Sequence, residues 1–154
     1  MKTIRQKLIV SICVVLISCL PAFSQSNDHI DELLIQPQAL LGSTAYIVLS
    51  AGKIIDESVD VAAAFDKARE MGIIPASATA ETPVRVDQLS FMLMKSLSLK
   101  GGVMYSLFPG SRYAYKEMVY KKVVNGTGGP GRIVSGDEVL RSLTNALDLN
   151  GGQK

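Results

Sequence analysis

Tryptophan is missing from this 154-residue chain, and cysteine and histidine are nearly so. Both cysteines, Cys13 and Cys19, fall early, and His29 is the one histidine. Past Cys19, therefore, the sequence has no thiol for a disulfide or a cysteine metal site. A nucleophile–histidine–acid arrangement would have to use His29. That residue lies in the polar stretch "SNDHIDE" (26–32), which reads as a loose, solvated acidic leader and not as a metal site. The glycine-rich "NGTGGPGR" (125–132) lacks the Gly-Lys-Ser/Thr that would bring a lysine to phosphates. The acidic residues follow no EF-hand spacing, and nothing marks two carboxylates as a catalytic pair. Asn125-Gly126-Thr127 is formally a glycosylation sequon. The expectation is a protein that is not an enzyme and takes no cofactor.

What the chain does have begins at its N-terminus. "MKTIRQK" carries Lys2, Arg5 and Lys7, and the apolar run "LIVSICVVLIS" (8–18) follows. A basic region ahead of an apolar run too short to span a bilayer comfortably reads as a secretory signal. Ala22 and Ser24 supply the small residues for cleavage before Gln25. A rival reading takes "LISC" (16–19) as a lipobox, with lipidation at Cys19. The first is favoured, because Leu-Pro-Ala-Phe is an unusual start for a lipoprotein tether. No later apolar run has the length of a membrane span. Removing the three basic residues of the signal from 16 leaves 13 against 14 acidic ones, a net charge near −1. Nucleic-acid binding then has no electrostatic footing. The expected location is the periplasm or envelope of a bacterium, with a membrane-anchored lipoprotein as the alternative.

Self-similarity organises the remainder. A shift of 50 residues places Ala64 on Ala114, Val84 on Val134, Asp87 on Asp137 and Leu93 on Leu143 without a gap. The same shift carries "SLSLKGG" (96–102) onto "ALDLNGG" (146–152), and one period earlier "YIVLSAG" (46–52) sets Leu49 on Leu99 and Gly52 on Gly102. The chain divides into a signal peptide (1–24), a polar leader (25–37), a partial repeat and linker (38–59), and two whole repeats (60–102 and 103–154). Each whole repeat reads as two helices around an irregular connection. Val61, Ala64, Phe65, Ala68 and Met71 form one apolar stripe, and Gly72 a C-cap. Leu89, Met92, Leu93, Ser96 and Leu97 form the next, in a helix that opens near Asp87. Ala114, Tyr115 and Met118 mark the third helix, and Val139, Leu140, Leu143, Ala146 and Leu147 the fourth. "SGDE" (135–138) has a capping-box pattern, with Ser135 accepting from the backbone near Glu138 and Glu138 reaching back. Ile73-Ile74 and Val123-Val124 read as short extended segments, and the glycine pairs as the end-marks of a module.

The unit of helix, paired β-branched residues, loop, capped helix and Leu-x-Leu-x-Gly-Gly resembles the S-layer homology (SLH) module over about residues 40–152. Phe108-Pro109, Tyr113-Ala114 and Val123-Val124-Asn125-Gly126 stand where that family has Phe-x-Asp-Val, Trp-Ala and Ile-Ile-x-Gly. "AFDKAREMGIIP" (64–75) matches the same helix in the first repeat. The resemblance implies a mainly α fold, with helix–loop–helix repeats of about 50 residues packed into one small domain. It also implies attachment to cell-wall polysaccharide through an arginine that opens the second helix. Here that place is held by Val86 and Gly136, leaving Arg85 and Arg132 nearby as substitutes, since a guanidinium grips a carboxylate or phosphate in a bidentate way.

A second candidate surface lies in "RYAYKEMVYKK" (112–122), where Arg112 and Lys116 share a helical face beside Tyr113. It is either a solvated face with lysine stems covering tyrosine rings, or a contact for an anionic envelope polymer or an acidic protein. The expected ligand-binding residues are Arg85, Arg112, Tyr113, Lys116 and Arg132. The expected function is non-catalytic attachment or scaffolding in the envelope, by binding peptidoglycan, another cell-wall polysaccharide or an envelope protein. The alternative is a periplasmic or lipid-anchored protein–protein module that binds no glycan. The apolar face left by an incomplete first repeat is expected to be capped by "QALLGSTAYIVLSAG" (38–52) or covered by dimerisation.

Overall fold

A computed structural model describes residues 24–152. The expected signal up to Phe23, with Cys13 and the lipidation alternative at Cys19, lies outside the described residues. Within them the chain is mainly helical: α1 (Ser24–Leu34), α2 (Leu41–Ala51), α3 (Val61–Glu70), α4 (Val86–Ser96), the short α5 (Val103–Leu107), α6 (Ser111–Tyr120) and α7 (Gly136–Gly151). Isolated bridges pair Leu40 with Pro83 and Arg85 with Ile133. The segments expected to be extended, Ile73-Ile74 and Val123-Val124, are bends that bury both side chains.

The centre of the fold is a closed circuit of backbone hydrogen bonds. Ala39 donates to the Val134 carbonyl (2.8 Å), Val134 to that of Val84 (3.0 Å), and Val84 to that of Ala39 (2.8 Å). These buried residues immediately precede the N-caps of α2, α4 and α7. A second layer satisfies the first helical N–H of each helix, a group with no partner inside its own helix. Leu41 donates to the Thr82 carbonyl (2.9 Å), Val86 to that of Arg132 (2.9 Å), and Gly136 to that of Gln36 (3.0 Å). The first N–H of each of these three helices thus finds its partner in a neighbouring segment.

Around this circuit α2 packs on α3, α4 on α6, and α7 on α1. The segment 25–37, read from its polarity as a loose leader, is therefore the helix that closes the ring. Leu33 is fully buried, and the His29 ring lies 4.5 Å from that of Tyr46. The segment read as a partial repeat is the hub: Leu41 and Thr44–Leu49 of α2 are all buried, and α1, α3, α4 and α7 all touch it. An element apolar all round belongs in the middle of a core.

Four helices stop in the same way. Lys53, Gly72, Ser98 and Lys122 take the left-handed conformation, with φ of +56°, +67°, +52° and +59°. The next residue in each case folds back: Ile54 donates to Leu49, Ile73 to Ala68, Leu99 to Met94 and Val123 to Met118, at 2.8–3.0 Å. This is the Schellman stop, in which a left-handed residue turns the chain and the following apolar residue packs inward. The glycine pairs do not do this work. In "SLSLKGG" the turning residue is Ser98, whereas "ALDLNGG" runs on inside α7 to Gly151. The stops also set Leu49 opposite Met94 and not Leu99, so the 46–52 segment sits five residues away from the register suggested by its glycine.

Most residues of the expected stripes are buried; Val61, Tyr115 and Leu140 are partly buried, and Met71, just past its helix, and Leu147 are exposed. Ser135 caps α7 by accepting from Glu138 N–H (3.3 Å). The Glu138 side chain does not reach back to complete a box, because Arg132 holds it. At α4 the carboxamide of Gln88 accepts from the Arg85 N–H (3.0 Å).

Candidate functional site

The two positions aligned with the family's arginine cannot present a side chain to a ligand. Val86 is fully buried, and Gly136 lies under the end of α1, where a Cβ would come within 1.6 Å of the Leu33 carbonyl oxygen. Burial of these positions follows from the second hydrogen-bond layer, which draws the residue after each N-cap against the preceding loop.

The substitutes are engaged as well. Arg85 Nε donates to Asp87 Oδ1 (3.0 Å) and its Nη2 to Oδ2 (2.6 Å). The Asp87 carboxylate also accepts from the Gln88 N–H (2.9 Å), at the positive end of α4. Arg132 grips Glu138 in the same two-pronged way, Nη1 to Oε2 (2.7 Å) and Nη2 to Oε1 (2.5 Å), and its Nε donates to the Thr127 carbonyl (2.9 Å). Hydrogen bonding to Asp87 and to Glu138, respectively, holds both guanidinium groups above the usual arginine range. Each guanidinium charge is answered by a carboxylate of its own chain; every nitrogen of Arg132 is engaged, whereas Arg85 keeps Nη1 unbonded on its half-exposed side. The sequence signal for these pairs, acids two and six residues downstream, becomes legible only when the turns are known.

Arg112, Tyr113 and Lys116 are differently placed. All three lie on the outward side of α6, Arg112 and Lys116 exposed and one turn apart. Lys116 Nζ stands 5.8 Å from the centre of the Tyr113 ring, within cation–π reach. Neither cation forms an ion pair among the described residues. Beyond Tyr113 the rings continue to Phe108 at 6.4 Å. Phe108 is 61% exposed, Leu107 64% and Val103 74%, with Met104 beside them and Tyr120 one turn past Lys116. Sequence reasoning missed this apolar shelf. Its residues read as the start of a repeat, but α5 is too short to bury more than one side, and that side is taken by Tyr105.

A groove of about 670 Å³ lies between the end of α6, the 123–128 loop and α7. Lys122, Asn125, Thr127, Arg141 and Asn145 line it, with the Arg132–Glu138 pair on its wall. Arg141 is held by Asp137, and Asn145 Nδ2 donates to the Val123 carbonyl (3.3 Å). Among the described residues no group of His, Cys, Asp and Glu is arranged to hold a metal ion, and no helix is long and apolar enough to cross a membrane. The groove has polar walls whose charges are mostly answered from within. The apolar shelf sets Arg112 and Lys116, neither in an ion pair among the described residues, beside exposed hydrophobic side chains, and Lys122 in the groove is likewise outside any such pair. Compared with family models, with curated proteins and with solved structures, the chain matches none of them.

Proposed function

We propose that this chain is an exported, non-catalytic scaffolding module of a bacterial envelope, built on SLH-like helical units, which docks a protein partner on the α5–α6 face. The observation that carries the reading is the fate of the arginines: Val86 and Gly136 stand in their expected places, while Arg85 and Arg132 are forked onto Asp87 and Glu138. A polysaccharide-binding module needs its cations free, and two that form no ion pair among the described residues, Arg112 and Lys116, border an apolar shelf. Such a border suits an amphipathic protein surface better than a hydrated glycan. Support for SLH-like units comes from the circuit at Ala39, Val84 and Val134 and from the helix order around it. With α1 included, three helix pairs surround that circuit.

Glycan attachment is the second reading, favoured by the polar groove between α6 and α7. Co-sedimentation with purified peptidoglycan sacculi separates the two. The expected result is no retention; retention that is lost on replacing Lys122 and Asn125 would establish the groove as a glycan site and overturn the proposal. Intact-mass measurement tests export: a chain starting at Gln25 is the expected form, whereas an acylated Cys19 would assign the lipid anchor.

A further inference from the structure

Two exposed faces of the molecule are complementary to each other. The first is the α5–α6 face: Val103, Leu107 and Phe108, bordered by Arg112 and Lys116. The second belongs to α1. Its buried side is marked by Leu33, and its outer side exposes Ile30, Leu34 and, just past its end, Ile35, which is 80% exposed. Helical spacing sets Asp31 beside Ile30 and Leu34, with Asp28 and Glu32 on the next flank. All three acids are exposed, and Glu32 is 3.8 Å from His29 Nδ1. One face is therefore apolar with Arg112 and Lys116 on its outer side and Glu117 against Gly102 beside Val103, and the other apolar with an acidic border.

They cannot meet within one molecule. α1 packs on α2 and α7, α5 packs on α6, and α1 touches neither α5 nor α6. A two-fold pairing of the α5–α6 face with itself would bring both copies of Arg112 and Lys116 into one interface without the acidic flank of α1 to answer them, and accumulating like charge across an interface is disfavoured. Pairing unlike faces removes the repulsion and covers both apolar patches at once.

We infer that the α5–α6 face docks the α1 face of a second copy of this chain, so that the protein assembles head to tail. This deepens the scaffolding reading by naming the occupant of the docking face. A contact of this kind leaves one face free at each end, and the assembly grows until it closes into a ring or continues as a filament. A scaffold that propagates by one repeated contact needs no second component.

Sedimentation of the purified exported form tests the inference without reference to sacculi, so it stands or falls apart from glycan binding. Association beyond the dimer is expected, weakening as salt is raised from about 0.05 M to about 0.5 M because the charged borders are screened. Arg112→Glu with Lys116→Glu makes both faces acidic, and Asp31→Lys with Glu32→Lys makes both basic. Each double variant alone is expected to lower the association constant about tenfold or more. Mixing the two restores an acidic face opposite a basic one at every contact, and assembly is expected to return. Circular dichroism keeps the result readable, since these four side chains are exposed and their loss leaves the helices intact. A monomer at every concentration overturns the inference, as does a dimer indifferent to both reversals or a mixture that fails to assemble.

Discussion

The carbonyl of Leu33 stands where a side chain on Gly136 would begin. A Cβ there would lie 1.6 Å from the oxygen and 2.6 Å from its carbon, with the Leu33 side chain also within reach. Neither neighbour can give way easily. Leu33 is anchored in the core, and the Gly136 N–H is tied to the Gln36 carbonyl just beyond it. Gly136→Ala is expected to destabilise the fold by about 3 kcal/mol or more, beyond the usual cost of overpacking, because the clash is with backbone. A denaturant midpoint close to that of the parent would show that α1 does not close the ring.

Thr44 carries the opposite defect. Its hydroxyl is fully buried in α2 and finds no partner among the described residues. A buried hydroxyl without a hydrogen bond costs roughly 1–3 kcal/mol, and an apolar group of the same shape removes that cost. Thr44→Val is expected to raise stability by about 1 kcal/mol. Thermal unfolding checks it, and a lowered midpoint would mean that the hydroxyl has a partner.

Much of this architecture was legible in sequence, and the parts that were not have physical reasons. Helical spacing revealed the stripes through Ala64, Phe65 and Ala68 and through Leu89, Met92 and Leu93, because each faces one core. Gly72 announced its left-handed turn, but Lys53, Ser98 and Lys122 make the same turn without a glycine to signal it. The glycine pairs are not equivalent: Gly101-Gly102 follows a helix already stopped at Ser98, whereas Gly151-Gly152 is the end of α7, since hydrogen bonding and not composition decides where a helix stops. α1 was hidden by its polarity, as Leu33 alone among its described side chains is fully buried. The candidate arginines were visible as residues but not as pairs. Only the turns at Arg85 and Arg132 bring Asp87 and Glu138 under them.

Two buried phenols tie stability to high pH. Burial pushes the Tyr46 phenol above its ordinary value, with the Glu57 charge adding to the effect, and burial alone does the same to Tyr105. The ordinary value is about 10, and the unfolded chain ionises there. The folded protein resists, so it takes up less negative charge than the unfolded one. This contribution is complete below about pH 10 and is lost as pH rises through the folded values. Urea midpoints should therefore fall above about pH 10. The Tyr46 hydroxyl donates to the Glu57 carbonyl at 2.9 Å. Tyr46→Phe should accordingly cost about 1 kcal/mol at neutral pH while flattening the alkaline decline. An alkaline arm unchanged by Tyr46→Phe and Tyr105→Phe together would assign the decline elsewhere.

The Arg132–Glu138 pair is expected to act on stability and not on binding. Arg132 fixes the 125–132 loop in three ways. Its guanidinium forks onto Glu138, its Nε reaches the Thr127 carbonyl, and its stem lies against Gly128, where φ is +83°. Both side chains are less than one-third exposed, so the pair lies between a surface bridge and a buried one. Arg132→Ala and Glu138→Gln are each expected to cost about 1–2 kcal/mol, more than an exposed pair and less than a buried one. The double variant should cost less than the sum, with a coupling of about 1 kcal/mol. Sacculus co-sedimentation should be unchanged in all three. If stability is unaffected and the coupling is zero, the fork contributes nothing to the fold, and Arg132 becomes available to a ligand again.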